Sequence, residues 1–197
     1  MRILVIPEDF RKDQYMLKPI IKAIVKELGK EKAKVRICQN PLLGGINEAL
    51  KWDNIKRIIG QYPTIDLFLL CVDRDGQPGR RKALDKIESF AAECLSAEQL
   101  LLAENAWQEI EVWVLAGHKL PKDWNWQEIR KERDPKETYF LPFAREKLGG
   151  YEPDDGRKIL AEEAAKHYRR IRELCPEDVA NLEERIREWL EKRRSLV

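Results

Sequence analysis

The segment Leu69-Leu70-Cys71-Val72-Asp73-Arg74-Asp75-Gly76 places two carboxylates one residue apart, directly after an apolar run. Such a run reads as a strand covered on both faces, and the C-terminal ends of such strands are where α/β proteins build their sites. Close carboxylates repel, and each raises the other's pKa unless a cation neutralises both. Mg²⁺ is the usual solution, because it takes hard oxygen ligands and shares them with substrate phosphates. The bland alternative is a solvated Asp-x-Asp-Gly turn. Glu8 and Asp9 follow Val5-Ile6-Pro7 at the end of the first apolar run. In a parallel sheet they reach the same edge as Asp73 and Asp75, although either could instead cap the helix that follows. Glu111 stands inside Ile110-Glu111-Val112-Trp113-Val114-Leu115-Ala116. A buried carboxylate needs a cation, a donor or a proton. Glu111 is therefore read as a metal ligand or metal-shell group, with a salt bridge to a buried Arg as its rival. Glu104 and Glu109 rank below it, because both positions read as solvent-exposed.

Basic residues follow the Asp pair closely: Arg74, Arg80, Arg81 and Lys82. Beside a metal they could hold backbone phosphates; taken singly, each also fits an ordinary solvated helix start. His118 and His167 lack the spacing of a zinc site. The tryptophans at 124 and 126 could stack on bases, but anchoring their segment to the core is the stronger reading.

These candidates need a scaffold, and the apolar pattern supplies one. Ile3–Ile6 reads as a strand, Met16–Leu28 as a helix closed by Gly29, and Ala33–Cys38 as a second strand. A helix with Ile46, Ala49, Leu50, Ile58 and Ile59 on its apolar side leads to the central strand Asp66–Val72. A helix over Arg80–Ala92 and a fourth strand over Leu100–Ala103 complete a βαβαβαβ order, which predicts a parallel sheet covered on both faces. Trp107–Ala116 reads as a buried helix, 117–142 as a long irregular excursion, and Arg157–Leu174 and Val179–Leu190 as two further helices. The expected organisation is one domain over 1–197, with an α/β core over 1–116 and a helical C-terminal portion over 117–197.

With 37 basic and 35 acidic residues the chain is no polycation, so any contact with nucleic acid must come from a local basic patch. No apolar run approaches the roughly 20 residues that a membrane span needs. The N-terminus reads as a strand start and not as a signal peptide. The four cysteines lie far apart with no C-x-x-C pair, as for reduced thiols of a cytoplasmic protein.

A strand ending in Glu, a later strand ending in Asp-x-Asp and the alternation between them resemble the topoisomerase–primase (TOPRIM) fold. Val-Asp-Arg-Asp-Gly at 72–76, Glu-Ile-Glu-Val-Trp-Val-Leu-Ala at 109–116 and Gly-Arg-Lys-Ile-Leu-Ala at 156–161 resemble an uncharacterised bacterial TOPRIM-like family. Its relatives are the nuclease domains of OLD-type ATPase-linked defence proteins. The resemblance implies Glu8, Asp73, Asp75 and Glu111 as the metal-holding catalytic set, with Mg²⁺ or Mn²⁺ as cofactor. It further implies nucleic acid as substrate and a separate ATPase as a partner. The sequence departs from the pattern at Asp9, where those domains commonly carry Gly. Carboxylate-held metals perform phosphoryl transfer, and no tyrosine stands near the Asp pair, so hydrolysis is expected over transesterification. Two rivals remain. A haloacid-dehalogenase-like phosphatase shares Asp-x-Asp-Gly, but Gln77 after Gly76 counts against it. The other is a non-catalytic partner of an ATPase with a metal-free acidic pocket.

Overall fold

A computed structural model of the chain describes residues 1–150 and 153–195. Four strands form one sheet: β1 (Arg2–Pro7), β2 (Lys34–Ile37), β3 (Leu67–Asp73) and β4 (Leu100–Ala106). The order is β2-β1-β3-β4 and every pairing is parallel. The helices are α1 (Phe10–Glu27), α2 (Ile46–Ala49), α3 (Trp52–Gln61), α4 (Arg80–Ala92), α5 (Glu111–Ala116), α6 (Trp126–Lys131), α7 (Leu141–Leu148), α8 (Arg157–Lys166), α9 (Tyr168–Leu174) and α10 (Asn181–Arg194). The expected parallel sheet flanked by helices, with a helical C-terminal portion, is what the structure shows. No helix among the described residues is long and apolar enough to cross a membrane.

Alternation along the strands divides the core in two. Ile3, Val5, Leu67 and Leu69 face α1 and the C-terminal helices, meeting Met16, Leu17, Ile20, Trp113, Leu160 and Ile186. Leu4, Ile6, Phe68, Leu70 and Val72 face the opposite layer, meeting Ile55, Ile58, Leu84 and Ile87. Both faces of β1 and β3 are therefore dry, which explains their unbroken apolar sequences.

Several boundaries differ from the sequence expectation, each for a local reason. Helix α1 begins at Phe10, because Asp9 caps it by accepting from Arg11 N at 2.8 Å. The helix expected after Gly45 is two helices, separated at Leu50 and Lys51. Strand β4 runs on to Ala106 through Glu104, which is buried and not exposed as its sequence suggested. Its charge is matched by Arg81 at 3.4 Å, Arg185 at 3.3 Å and Asn181 Nδ2 at 2.9 Å. The chain from Trp107 to Ile110 is a turn, and helix begins only at Glu111. The stretch 157–174 is broken at His167 into α8 and α9. The excursion holds α6 and a π-helical turn over Lys136–Phe140; Trp126 donates to Leu174 O at 3.0 Å, and Trp124 meets Tyr139 edge-on. Both tryptophans pack against the core. Cys38, Cys71 and Cys175 are buried thiols and Cys94 is exposed, with no disulfide among the described residues.

Asp178 ties the C-terminal portion to the sheet edge. Its side chain is 1% exposed and accepts from Trp107 N and Trp113 Nε1, both at 2.7 Å, and from Arg130 Nη1 at 3.2 Å. Asp178→Ala would leave two N–H donors buried without an acceptor and Arg130 with Glu177 as its one remaining carboxylate. The expected cost is about 3–5 kcal/mol, read by urea unfolding against the wild type.

Candidate metal centre

Helix α1 leaves β1 toward β2 on one side, while α4 leaves β3 toward β4 on the other. The loops after β1 and β3 therefore diverge, and a crevice opens at the C-terminal ends of two adjacent strands. Glu8 and Asp73 stand at that point. Glu8 N donates to Cys71 O at 3.2 Å, and Glu8 Oε2 accepts from Asp73 N at 3.1 Å. Asp73 Oδ1 accepts from Ile110 N at 2.9 Å, which ties the end of β3 to the turn after β4.

Gln108 fixes that turn. Its carbonyl accepts from Arg74 N at 2.8 Å and Asp75 N at 3.2 Å, and its side-chain Oε1 accepts from Gly76 N at 2.8 Å. Asp75 (φ 51°), Gly76 (φ 65°) and Gln108 (φ 74°) all lie in the left-handed region. Gly adopts that conformation freely and Asp tolerates it, whereas Gln does so at a cost that its three hydrogen bonds offset. Held this way, Asp73, Asp75 and Glu109 each present a carboxylate oxygen, and the three lie within 4.8 Å of one another. This acidic triad could hold a metal ion.

Glu8, Asp73 and Asp75 thus gather as the sequence suggested, with Glu8 acting on the Asp73 backbone. The third carboxylate of the triad is Glu109, not Glu111. Glu111 is buried and bonded to Arg157, with Nη2 at 2.9 Å and Nε at 3.2 Å from its Oε1. The salt bridge set against its metal-ligand reading is the arrangement found. Arg157 is itself buried and also holds Asp155 at 2.6 Å. Glu109 is half-buried and accepts from Lys136 N at 2.8 Å, so the excursion shields a carboxylate that its sequence had placed in water. Its signal was the end of β4: read as far as Ala106, that strand delivers Glu109 to the same edge as Asp75.

Burial and crowding set the protonation of the group. Burial first, then Asp13, Glu111, Glu8 and Glu109, push Asp73 well above the usual carboxylate range. Burial also pushes up Glu109, to about 7, with Glu111 adding to it. Glu8 rises through burial and Asp75. Asp13, a buried carboxylate of α1 with no role in the sequence reading, rises through burial and then Glu111, Asp9 and Glu8.

The basic residues divide. Arg74 lies with its guanidinium carbon 4.0 Å from the centre of the Trp107 ring. Arg80 is buried, reaches Asp75 Oδ2 at 3.2 Å, and its Nε has no hydrogen-bond partner. Lys82 is exposed. Arg81 is not available to phosphate as expected, because it bonds Asp85 at 2.7 Å, Glu88 at 3.1 Å and Ala103 O at 2.7 Å. No protein-family model, curated protein or solved structure matches this chain.

Two outcomes follow for the metal-free protein. Glu111→Gln removes the buried one of the two carboxylates on Arg157, leaving the exposed Asp155, and lowers stability by about 3 kcal/mol in thermal unfolding. Separately, the carboxylates whose pKa values are raised by folding stabilise the protein fully only below their unfolded values near 4. That contribution is lost as pH rises through the folded value of Glu109, about 7. Unfolding between pH 5 and 8 therefore shows their contribution falling, and a divalent cation that needs deprotonated ligands restores more at pH 8 than at pH 5.

Proposed function

We propose that this protein is a divalent-metal-dependent phosphodiester hydrolase of TOPRIM-like type that acts on nucleic acid. The observation that carries the reading is the convergence of Asp73, Asp75 and Glu109 at the strand-order reversal, with Arg80 beside Asp75. Three carboxylates offer hard, anionic oxygen donors, the set that suits Mg²⁺ or Mn²⁺ over softer metals. The raised pKa values of Asp73 and Glu109 describe a group short of positive charge, and the unpartnered Nε of Arg80 describes a donor short of an acceptor. A divalent cation and a phosphate oxygen meet these two needs together.

In this reading Asp73, Asp75 and Glu109 hold the cation. Glu8 and Gln108 position the Asp loop by accepting its backbone N–H groups. Arg80, Arg74 and Lys82 bind the phosphate. When bound, the cation lowers the pKa of an attacking water and offsets charge on the leaving oxygen. Arg157 keeps Glu111 charge-compensated at the rear of the group, so its carboxylate does not compete for the cation.

Isothermal titration with Mg²⁺ and Mn²⁺, paired with cleavage of mixed DNA and RNA substrates in Mn²⁺, tests the reading. Asp75→Asn and Glu109→Gln keep size and hydrogen bonding, and Asn tolerates the left-handed backbone at 75. Each is expected to weaken divalent binding at least tenfold and to reduce cleavage by about 100-fold or more. A wild-type protein that binds neither cation sinks the proposal and leaves a metal-free acidic pocket.

A further inference from the structure

A groove of about 600 Å³ runs between α1 and α8 beside the end of β2, and Gln14, Tyr15, Lys18, Lys22, Lys158 and Glu162 line it. Two of these residues adjoin the carboxylate group in sequence: Gln14 follows Asp13, and Lys158 follows Arg157. One end of the groove is thus lined by the chain neighbours of Asp13, whose charge acts on Asp73, and of Arg157, which pairs with Glu111; from there it follows α1.

Its charge is one-sided, with three lysines against one glutamate. Lys18, Lys22 and Lys158 are exposed, and among the described residues none of the three has an ion-pair partner. In this chain the ion pairs are made mainly by arginines, such as Arg81, Arg130, Arg157 and Arg185, so lysines are the cations left free to meet a ligand. Three unpaired ammonium groups sharing one concavity, against Glu162 alone, repel one another and attract a polyanion. Lys18 and Lys22 lie one turn apart on a single helix face. From Asp13 to Lys22 the helix climbs about 13 Å. A stacked strand advances about 3.4 Å per nucleotide, so that length matches roughly four phosphates. Tyr15 is half-buried in the groove and offers a ring on which an unpaired base can stack.

We infer that this groove is the exit track for a single strand of nucleic acid, with Lys18, Lys22 and Lys158 on its phosphates and Tyr15 against a base. The ligand class rests on the hydrolase reading; the groove and its unpaired lysines do not. An acidic peptide would satisfy the lysines equally but has no use for the adjoining phosphodiester site.

Binding of a fluorescein-labelled twelve-nucleotide single strand in EDTA, followed by anisotropy over a salt series, reads the track without metal or cleavage. The triple variant Lys18→Glu, Lys22→Glu and Lys158→Glu is expected to raise Kd at least tenfold. It should also flatten the slope of log K against log salt by roughly 2, the release expected for three single-strand phosphate contacts. Reversing three exposed lysines remote from the groove, Lys32→Glu, Lys56→Glu and Lys192→Glu, controls for net charge and should change Kd far less. Tyr15→Ala should weaken binding with no change of slope. Circular dichroism confirms that each variant folds. The inference is overturned if the wild type does not bind the strand, if both triple variants lose affinity equally, or if polyglutamate of matched charge competes as well as the oligonucleotide. Manganese-dependent cleavage of bis(p-nitrophenyl) phosphate by the wild type reports on the metal centre alone. Its absence with strand binding intact sinks the hydrolase reading and leaves the track standing.

Discussion

Carboxylates crowd the edge of a dry parallel sheet, and the surrounding architecture is shaped by the need to hold them there. Asp73 ends a strand whose residues are buried on both faces, so its charge meets little water and several neighbours of the same sign. Such a group is stable only if its oxygens and the nearby backbone are strictly paired. Glu8 receives the amide of Asp73, Asp73 receives the amide of Ile110, and Glu109 receives the amide of Lys136. Each carboxylate is thus spent on a backbone donor from a different segment. The repulsion within the group is converted into a set of bonds between β1, β3, β4 and the excursion.

The C-terminal half completes this arrangement rather than decorating it. Arg157 from α8 compensates Glu111, and Asp178 orients Trp107 and Trp113 on either side of the turn that carries Gln108 and Glu109. The unpaired lysines of the groove fall on the same two helices, α1 and α8, that bracket the carboxylates. Acid at the centre and base along the flank are the pairing that a phosphodiester backbone would need.

Strand and helix periodicity were plain in the sequence because β1, β3 and α4 obey single rules without competition. Val-Asp-Arg-Asp-Gly was legible for the same reason: a long apolar strand leaves little doubt where it ends. Glu109 and Glu111 were exchanged because the two differ in tertiary partners alone. A residue 46 positions away decides the fate of Glu111, and the amide of Lys136 decides that of Glu109. Arg81 misled in the same way, since its commitment to Glu88 and Glu104 depends on the α4–β4 contact and not on local spacing. Glu104 inside β4 also made that strand look shorter than it is.

Glu104 has a consequence for the order in which the molecule matures. It lies in an inner position of the sheet's edge strand, yet Arg185 and Asn181, two of its partners, are 81 and 77 residues further along the chain. During synthesis β4 can dock on β3 with Arg81 available, but its carboxylate stays under-compensated until the last helix emerges. Full compensation of Glu104 therefore rests on contacts of long sequence separation, the kind that form late when topology sets the pace. A chain that stopped short of α10 would carry a buried carboxylate in β4 with Arg81 as its one remaining cation.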